Sequence, residues 1–306
     1  MVVHNMISAL EPWSFQVKPN LTLRGWRTEF TGKPILHFLH GNGFCGLTYA
    51  PLLKALLADF DLIITDLPGH GDSDMGGDFV GWNRCASMAL KVVHHFVDNL
   101  PETELADGSK QKVPCYAVGH SFGGVITALM LAKDRNCFDQ AILLDPVIFP
   151  PGMLKVMATA DLFGLLQQLP LAKQARVRTR HWPTREDAFE YFYERGTFKG
   201  WQSECLQAYV DYALQEVQEG VGLKCPPKRE AEIFSSYPKR LWPLLKQVRT
   251  PTNIWVAKKT FPFIARSMER LKKRPVFDIE TLDGGHCFMQ ERPEEIAERI
   301  RQTLLG

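Results

Sequence analysis

Gly119-His120-Ser121-Phe122-Gly123-Gly124 is the stretch on which the reading of this chain turns. Apolar residues over 113–118 predict a buried strand before it, and apolar residues over 122–131 predict a helix after it. The pattern Gly-x-Ser-x-Gly therefore falls at a strand-to-helix turn. Glycines two positions either side of Ser121 let the backbone cross tightly, which lifts the serine hydroxyl clear of the sheet. The amide that follows the serine and the positive end of the new helix would both face an anion formed beside it. Composition alone gives about 0.06 such patterns per chain, so its position between a strand and a helix carries weight. The competing explanation is a turn kept only for close helix packing.

Working outward, the same rhythm continues on both sides. A buried strand is predicted at 35–39, a helix at 48–58, a strand at 62–65 ending at Asp66, and a helix at 86–100 stopped by Pro101. A polar loop at 102–112, with Asp107-Gly108, precedes the strand before Ser121, and a strand at 140–144 closes at Asp145-Pro146. Short apolar runs at 13–17 and 21–26, separated by Lys18-Pro19-Asn20, predict an N-terminal hairpin. Strands alternating with helices imply an α/β fold with a doubly wound, mostly parallel sheet covered on both faces.

After Pro146 the rhythm breaks. Helices are predicted at 153–168, 184–195 and 202–219, with no strand among them, and aromatics are dense: Phe189, Tyr191, Phe192, Tyr193, Trp201, Tyr209 and Tyr212. Strands at 252–257 and 276–282 and a helix at 294–305 then restore the pattern. The expected organisation is a core domain of residues 1–146 and 249–306 with a helical cap inserted at 147–248. Aromatics in such helices serve more often as the cap's own core than as pocket wall.

The chain has 306 residues, 36 Lys and Arg against 34 Asp and Glu, a net charge of +2, and 45% hydrophobic residues. Nucleic-acid binders show a basic surplus or stripe, so a nucleic-acid partner is not expected. No apolar run approaches the roughly 18 residues needed to span a bilayer. Residues 1–13 lack a basic start and an apolar signal core, which predicts a cytoplasmic location. Seven cysteines, odd in number and never spaced as C-x-x-C, predict reduced thiols and neither disulfides nor a metal site. No cofactor is implied, and the sequence gives no oligomeric state.

A serine hydroxyl is a weak nucleophile until a base takes its proton, usually a histidine oriented by a carboxylate. Of nine histidines, only His286, in Asp283-Gly284-Gly285-His286, follows a C-terminal strand and precedes the last helix. His286 is the expected base. His94 and His95 are adjacent on a helix and point apart, so a metal pair is not expected. His37 and His120 are expected in the core or pocket wall. A second oxyanion donor should come from His40-Gly41-Asn42-Gly43-Phe44, where glycines admit backbone close to a negative charge. The Asn42 and Phe122 amides form the natural pair, with Gly43 as an alternative donor. Gly41, Gly43 and His120 are the expected substrate-binding positions.

Four stretches, His40-Gly41-Asn42-Gly43, Asp66-Leu67-Pro68-Gly69-His70-Gly71-Asp72-Ser73, Gly119-His120-Ser121-Phe122-Gly123-Gly124 and Gly285-His286, resemble the signatures of the α/β-hydrolase superfamily in their order. The resemblance spans about residues 13–305, and the insertion is similar to that superfamily's helical lid. It implies a serine hydrolase and says little about substrate, because many chemistries share this scaffold. One part departs from the pattern. Most members carry an acid after the strand before the last, whereas Lys258-Lys259-Thr260-Phe261 offers no carboxylate.

Three acids compete for that role. Asp145 ends the strand after the nucleophile helix, where some haloalkane dehalogenases of the superfamily carry their acid. Asp283 is better placed to cap its own Gly-Gly turn, and Asp278 lies within a strand, facing a sheet surface. The expected triad is therefore Ser121, His286 and Asp145, acting on a small, apolar, ester-like substrate. Dehalogenase and epoxide-hydrolase chemistry is disfavoured, since those enzymes use an aspartate nucleophile. A C–C hydrolase, a thioesterase, a cofactor-free haloperoxidase and a non-catalytic ligand-binding protein are the alternatives.

Overall fold

Two central stretches, Ile-Leu-His-Phe-Leu and Asp-Leu-Ile-Ile-Thr, are buried at every residue, which requires cover on both faces. The structure, a computed structural model, describes residues 8–98, 100, 103–104 and 110–306. Its main sheet comprises β1 (Glu11–Lys18), β2 (Leu21–Arg27), β3 (Ile35–Leu39), β4 (Asp61–Thr65), β5 (Cys115–His120), β6 (Gln140–Leu144), β7 (Thr252–Lys259) and β8 (Phe277–Gly285). The strand order is β1-β2-β4-β3-β5-β6-β7-β8. β2 runs antiparallel to β1 and β4, and the other neighbours pair in parallel. This is the expected doubly wound, mostly parallel α/β sheet.

Alternation along the strands divides the core in two. Leu36, Phe38, Ile64 and Val118 face one cluster, which includes Phe288, Ile296 and Ile300 near the C-terminus. Ile35, Leu39, Ile63 and Ala117 face the other, with the helices Trp82–Val97 and Phe122–Lys133 laid against them.

Several elements differ from expectation. The helix expected at 48–58 is a 3₁₀ turn, Gly46–Tyr49, followed by the short helix Ala50–Lys54, because Pro51 at its first turn starts a new helix. The helix expected at 153–168 stops at Leu162, and left-handed Gly164 turns the chain into the 3₁₀ segment Leu165–Gln168. The helix expected at 202–219 ends at Tyr212. Beyond it, Leu214–Val217 and Gly220–Leu223 form a hairpin joined by His181–Trp182, a three-stranded antiparallel sheet where no strand was expected. Gln215, Glu216, Gln218 and Glu219 favour helix, but Gly220 sits at φ 105° with the Trp182 carbonyl 2.2 Å from where a Cβ would be. Tertiary contact and a backbone open only to glycine overrule the propensity.

Residues 147–248 contribute to both clusters: Ile148, Ile233, Leu241, Leu245 and Val248 pack with Ile35 and Ile63. Trp182, Phe192, Phe198, Trp201 and Tyr209 are buried in the same cluster as Phe38 and Ile64. Phe44, just after β3, meets Phe198, Trp201 and Tyr209 at ring separations of 6.2, 5.5 and 5.8 Å. All seven cysteines are unbridged. Among the described residues no helix is long and apolar enough to cross a membrane. Residues 1–7, on which the reading of the N-terminus depends, and the Asp107-Gly108 turn lie outside the described residues.

Candidate active site

Ser121 joins β5 to the helix Phe122–Lys133 with φ 53° and ψ −113°, a conformation that costs a non-glycine residue about 1–3 kcal/mol. The flanking glycines explain how the turn closes. A Cβ at Gly119 would lie 2.4 Å from Thr127 Oγ1, and one at Gly123 would lie 2.4 Å from the His40 carbonyl oxygen. Neither position has room for a side chain.

His286 follows β8 directly. Its Nε2 lies 2.9 Å from Ser121 Oγ and its Nδ1 2.5 Å from Asp145 Oδ2. A proton on Nδ1 shared with the carboxylate leaves the Nε2 lone pair for the serine hydroxyl. Asp145 is fully buried at the end of β6 with φ 40°, so two residues of this line hold strained backbones. Its Oδ1 accepts from the Ala257 amide at 2.9 Å, and its Oδ2 from Thr260 Oγ1 at 2.5 Å. Leu144 pairs with Trp255, so the Ala257 amide, two residues on, points past the end of β6 and meets Asp145 there. The strand end that lacks a carboxylate supplies two donors to the carboxylate of its neighbour. The competing acids stand apart. Asp283 is exposed and pairs with Lys258 at 3.1 Å instead of capping its turn, and Asp278 accepts from Asn253 Nδ2 at 3.3 Å on the surface.

Asn42 and Phe122 line the same cavity as Ser121, and their backbone amides have no acceptor among the described residues. The Asn42 side chain is held on both sides: Nδ2 donates to the Glu230 carbonyl at 3.2 Å, and Oδ1 lies 3.3 Å from His70 Nε2. The loop is also tied to the histidine strand. The Gly41 amide donates to Tyr49 Oη at 3.1 Å, Tyr49 Oη lies 2.6 Å from His120 Nδ1, and His120 Nε2 lies 3.0 Å from the His286 carbonyl. The tyrosine proton can go only to His120 Nδ1, so Nε2 carries the ring proton and donates to His286. Burial agrees with a neutral ring, pushing the His120 pKa well below the ordinary value and the Tyr49 pKa well above it.

Ser121, His286, Asn42 and Phe122 open on a cavity of about 570 Å³. Trp82, Phe261 and Phe263 line one part of it, and Phe149, Met153, Met157, Leu169, Phe198 and Phe234 from residues 147–248 line the rest. The structure brings Ser121, His286 and Asp145 into contact and places Asn42 and Phe122 on the same cavity wall. Gly41, Gly43 and His120 are buried and are not among the residues that line this cavity, and His120 is a buried strut. The aromatics singled out in the insertion stay off the wall as well, most of them filling its core. Sequence reasoning missed Tyr49, Ala257, Thr260, Arg178 and Glu230. A hydroxyl residue at the place of the missing acid was the available signal for Thr260, and no spacing pointed to the others.

A doubly wound sheet with a serine on a strained strand-to-helix turn, a buried acid at the end of the neighbouring strand β6 and a histidine after β8, two strands further on, defines the α/β-hydrolase fold. The sequence model of the alpha/beta hydrolase family matches residues 38–299, and the chain belongs to that family. It is 34% identical over 114 residues to abhydrolase domain-containing protein AKT2 of Alternaria alternata, covering 37% of this chain and 38% of that protein. It is 29% identical over 161 residues to monoglyceride lipase of Mus musculus, covering 50% and 49%. These matches span half or less of the relatives' length. Among solved structures, E-2-(acetamidomethylene)succinate hydrolase superposes with a TM-score of 0.77 at 16% identity, covering 97% of this chain and 100% of that one. The peroxisomal alpha-beta-hydrolase Lpx1 of Saccharomyces cerevisiae gives 0.72 at 18% identity, covering 97% and 88%. Both likenesses concern the fold.

Proposed function

We propose that this chain is a serine hydrolase that cleaves an ester-type bond of a small, largely apolar substrate through an acyl-enzyme on Ser121. One observation carries the reading: Ser121 Oγ, His286 and Asp145 lie in a continuous hydrogen-bonded line of 2.9 and 2.5 Å that opens on an apolar cavity. In this mechanism His286 Nε2 takes the hydroxyl proton as Ser121 Oγ bonds to the carbonyl carbon. The carbonyl oxygen becomes an oxyanion beside the Asn42 and Phe122 amides. Collapse breaks the ester bond, and the departing alkoxide takes the proton from His286. Water repeats the sequence on the acyl-enzyme and releases the acid. Asp145 fixes the ring tautomer and stabilises the imidazolium.

Residues 147–248 act in this reading as a lid, since they supply most of the cavity wall. An ester is favoured over a polyanion by the apolar lining and the near-balanced charge. The non-catalytic alternative drew its weight from the missing acid, and the contact between Asp145 and His286 leaves it without that support. Labelling with a fluorophosphonate at neutral pH tests the proposal. We expect one adduct on the peptide containing Ser121 and none in Ser121→Ala. A folded protein that resists labelling overturns it.

A further inference from the structure

Apart from His286, the charged side chains in the cavity wall are Arg178 and Glu230, in a mostly apolar lining whose other polar side chains are Asn42, Ser121, Gln174 and Thr197. Arg178 Nη1 donates to Glu230 Oε2 at 2.6 Å, and Arg178 Nη2 lies 3.4 Å from Tyr209 Oη. The side chains are only 22% and 12% exposed. A guanidinium has five N–H donors and a carboxylate two acceptor oxygens. The pair therefore keeps spare donors on Arg178 and a spare acceptor at Glu230 Oε1, with no partner among the described residues. Glu230 also abuts the loop beside the serine. Its backbone carbonyl holds Asn42, and its carboxyl lies 3.2 Å from where a Cβ on Gly43 would be.

Ion pairs set in an apolar wall give little net stability, because desolvation offsets their attraction and apolar replacements often do as well. A pair placed beside the reacting centre with bonding capacity left over has a use for that capacity. A substrate carboxylate there would meet Glu230, and a substrate ammonium would meet Arg178. A hydroxyl is neutral, donates to the carboxylate and accepts from the guanidinium at once. We infer that Arg178 and Glu230 form a hydroxyl-recognition subsite, so that the substrate is an ester carrying a hydroxyl within a few bonds of the scissile carbonyl. This rests on the ester-hydrolase reading above and narrows it.

The hydroxyl belongs either to the acyl chain or to the alcohol, and matched pairs of substrates separate the two. Monodecanoyl glycerol is compared with propyl decanoate, and a β-hydroxydecanoyl nitrophenyl ester with its decanoyl parent. We expect kcat/KM for the hydroxylated member of one pair to exceed its parent by about tenfold, the scale of one hydrogen bond to a charged group. That ratio should fall below about twofold in the charge-balanced double variant Arg178→Met with Glu230→Met, which strands no buried charge. Each ratio is internal to one protein, so a general loss of activity in the variant does not mimic the effect. Turnover of the parent esters with no hydroxyl preference in the wild-type chain overturns this inference alone, as does a preference that survives the double variant. No turnover of any ester overturns the hydrolase reading, and the subsite with it.

Discussion

Changing Asp145 to Asn alters one atom at the point where three donors converge. Oδ2 receives His286 Nδ1 and Thr260 Oγ1, and Oδ1 receives the Ala257 amide. An asparagine has one acceptor oxygen and a group that only donates. If its nitrogen faced Ala257, two donors would meet in a fully buried site, costing about 1–3 kcal/mol. The nitrogen instead turns to His286, whose Nδ1 must then accept, so the ring proton moves to Nε2. A protonated Nε2 cannot take the serine proton. Restoring the working tautomer against that preference costs about 1–3 kcal/mol, and losing the charge-assisted bond to the imidazolium adds about 1.5–3. At about 1.4 kcal/mol per decade, kcat should fall by about a thousandfold. Asp283→Asn, which breaks only the exposed contact with Lys258, should leave kcat within about twofold. The assay is steady-state hydrolysis of a nitrophenyl ester at neutral pH, with thermal melts to show that both variants fold. An Asp145→Asn enzyme within about fivefold of wild type, or an equal loss in Asp283→Asn, refutes the assignment.

Tyr49→Phe removes the hydroxyl between the Gly41 amide and His120 Nδ1, leaving two buried groups unpaired. We expect about 2–3 kcal/mol of lost stability in urea denaturation, and a fall in kcat larger than any change in KM, because Gly41 precedes the Asn42 donor. Unchanged stability would show that the strut is incidental. Acid should destabilise the chain before its surface carboxylates titrate. Burial lowers the His37 pKa to about 3 and that of His40 to about 4, against 6.5 for the free side chain. Between those values the unfolded state binds the proton first, so stability falls as pH drops below 6.5. Each ring contributes about 2 kcal/mol of loss between pH 7 and pH 5. Asp66, raised by burial to about 6, works oppositely and returns about 1 kcal/mol over the same range. Urea midpoints should therefore drop from pH 7 to pH 5, less steeply in His37→Gln, and a flat wild-type profile contradicts the balance.

How much was legible in the sequence follows from how local each signal is. β3 and β6 fall where they were expected, because mostly apolar runs of five residues between turn residues are too short for a buried helix. The Ser121 turn was legible because its pattern is written within five residues of chain, even though the contact that keeps Gly123 bare comes from the distant His40 carbonyl. The 214–223 hairpin was not, since what decides it is the Trp182 carbonyl over Gly220, more than thirty residues away. Gly41, Gly43 and His120, expected at the substrate, are absent from the cavity lining for a related reason. Proximity to Ser121 in sequence does not say which side of a strand end faces the cavity, and His120 points to Tyr49. Arg178 and Glu230 carry no local signature. They meet only because two separate parts of the insertion fold against the same loop.

The displaced acid shows what the fold constrains and what it leaves free. What the histidine needs is a carboxylate oxygen near Nδ1, on the side away from the serine. The ends of β6 and β7 lie side by side in register, Leu144 against Trp255, so either can deliver that oxygen. Delivery from β6 bends the backbone at Asp145 to φ 40°, and the neighbouring strand then has to hold the carboxylate. Ala257 and Thr260 do so, each giving a donor to a different oxygen, while Lys258 turns outward to Asp283. The absence of an acid after β7 and the presence of a hydroxyl there are thus one arrangement. Moving the carboxylate back would require both changes together: an acid placed after β7 in the Asp145→Asn background should recover activity only when Thr260 no longer competes for it. Recovery with Thr260 intact would mean that the hydroxyl is a bystander.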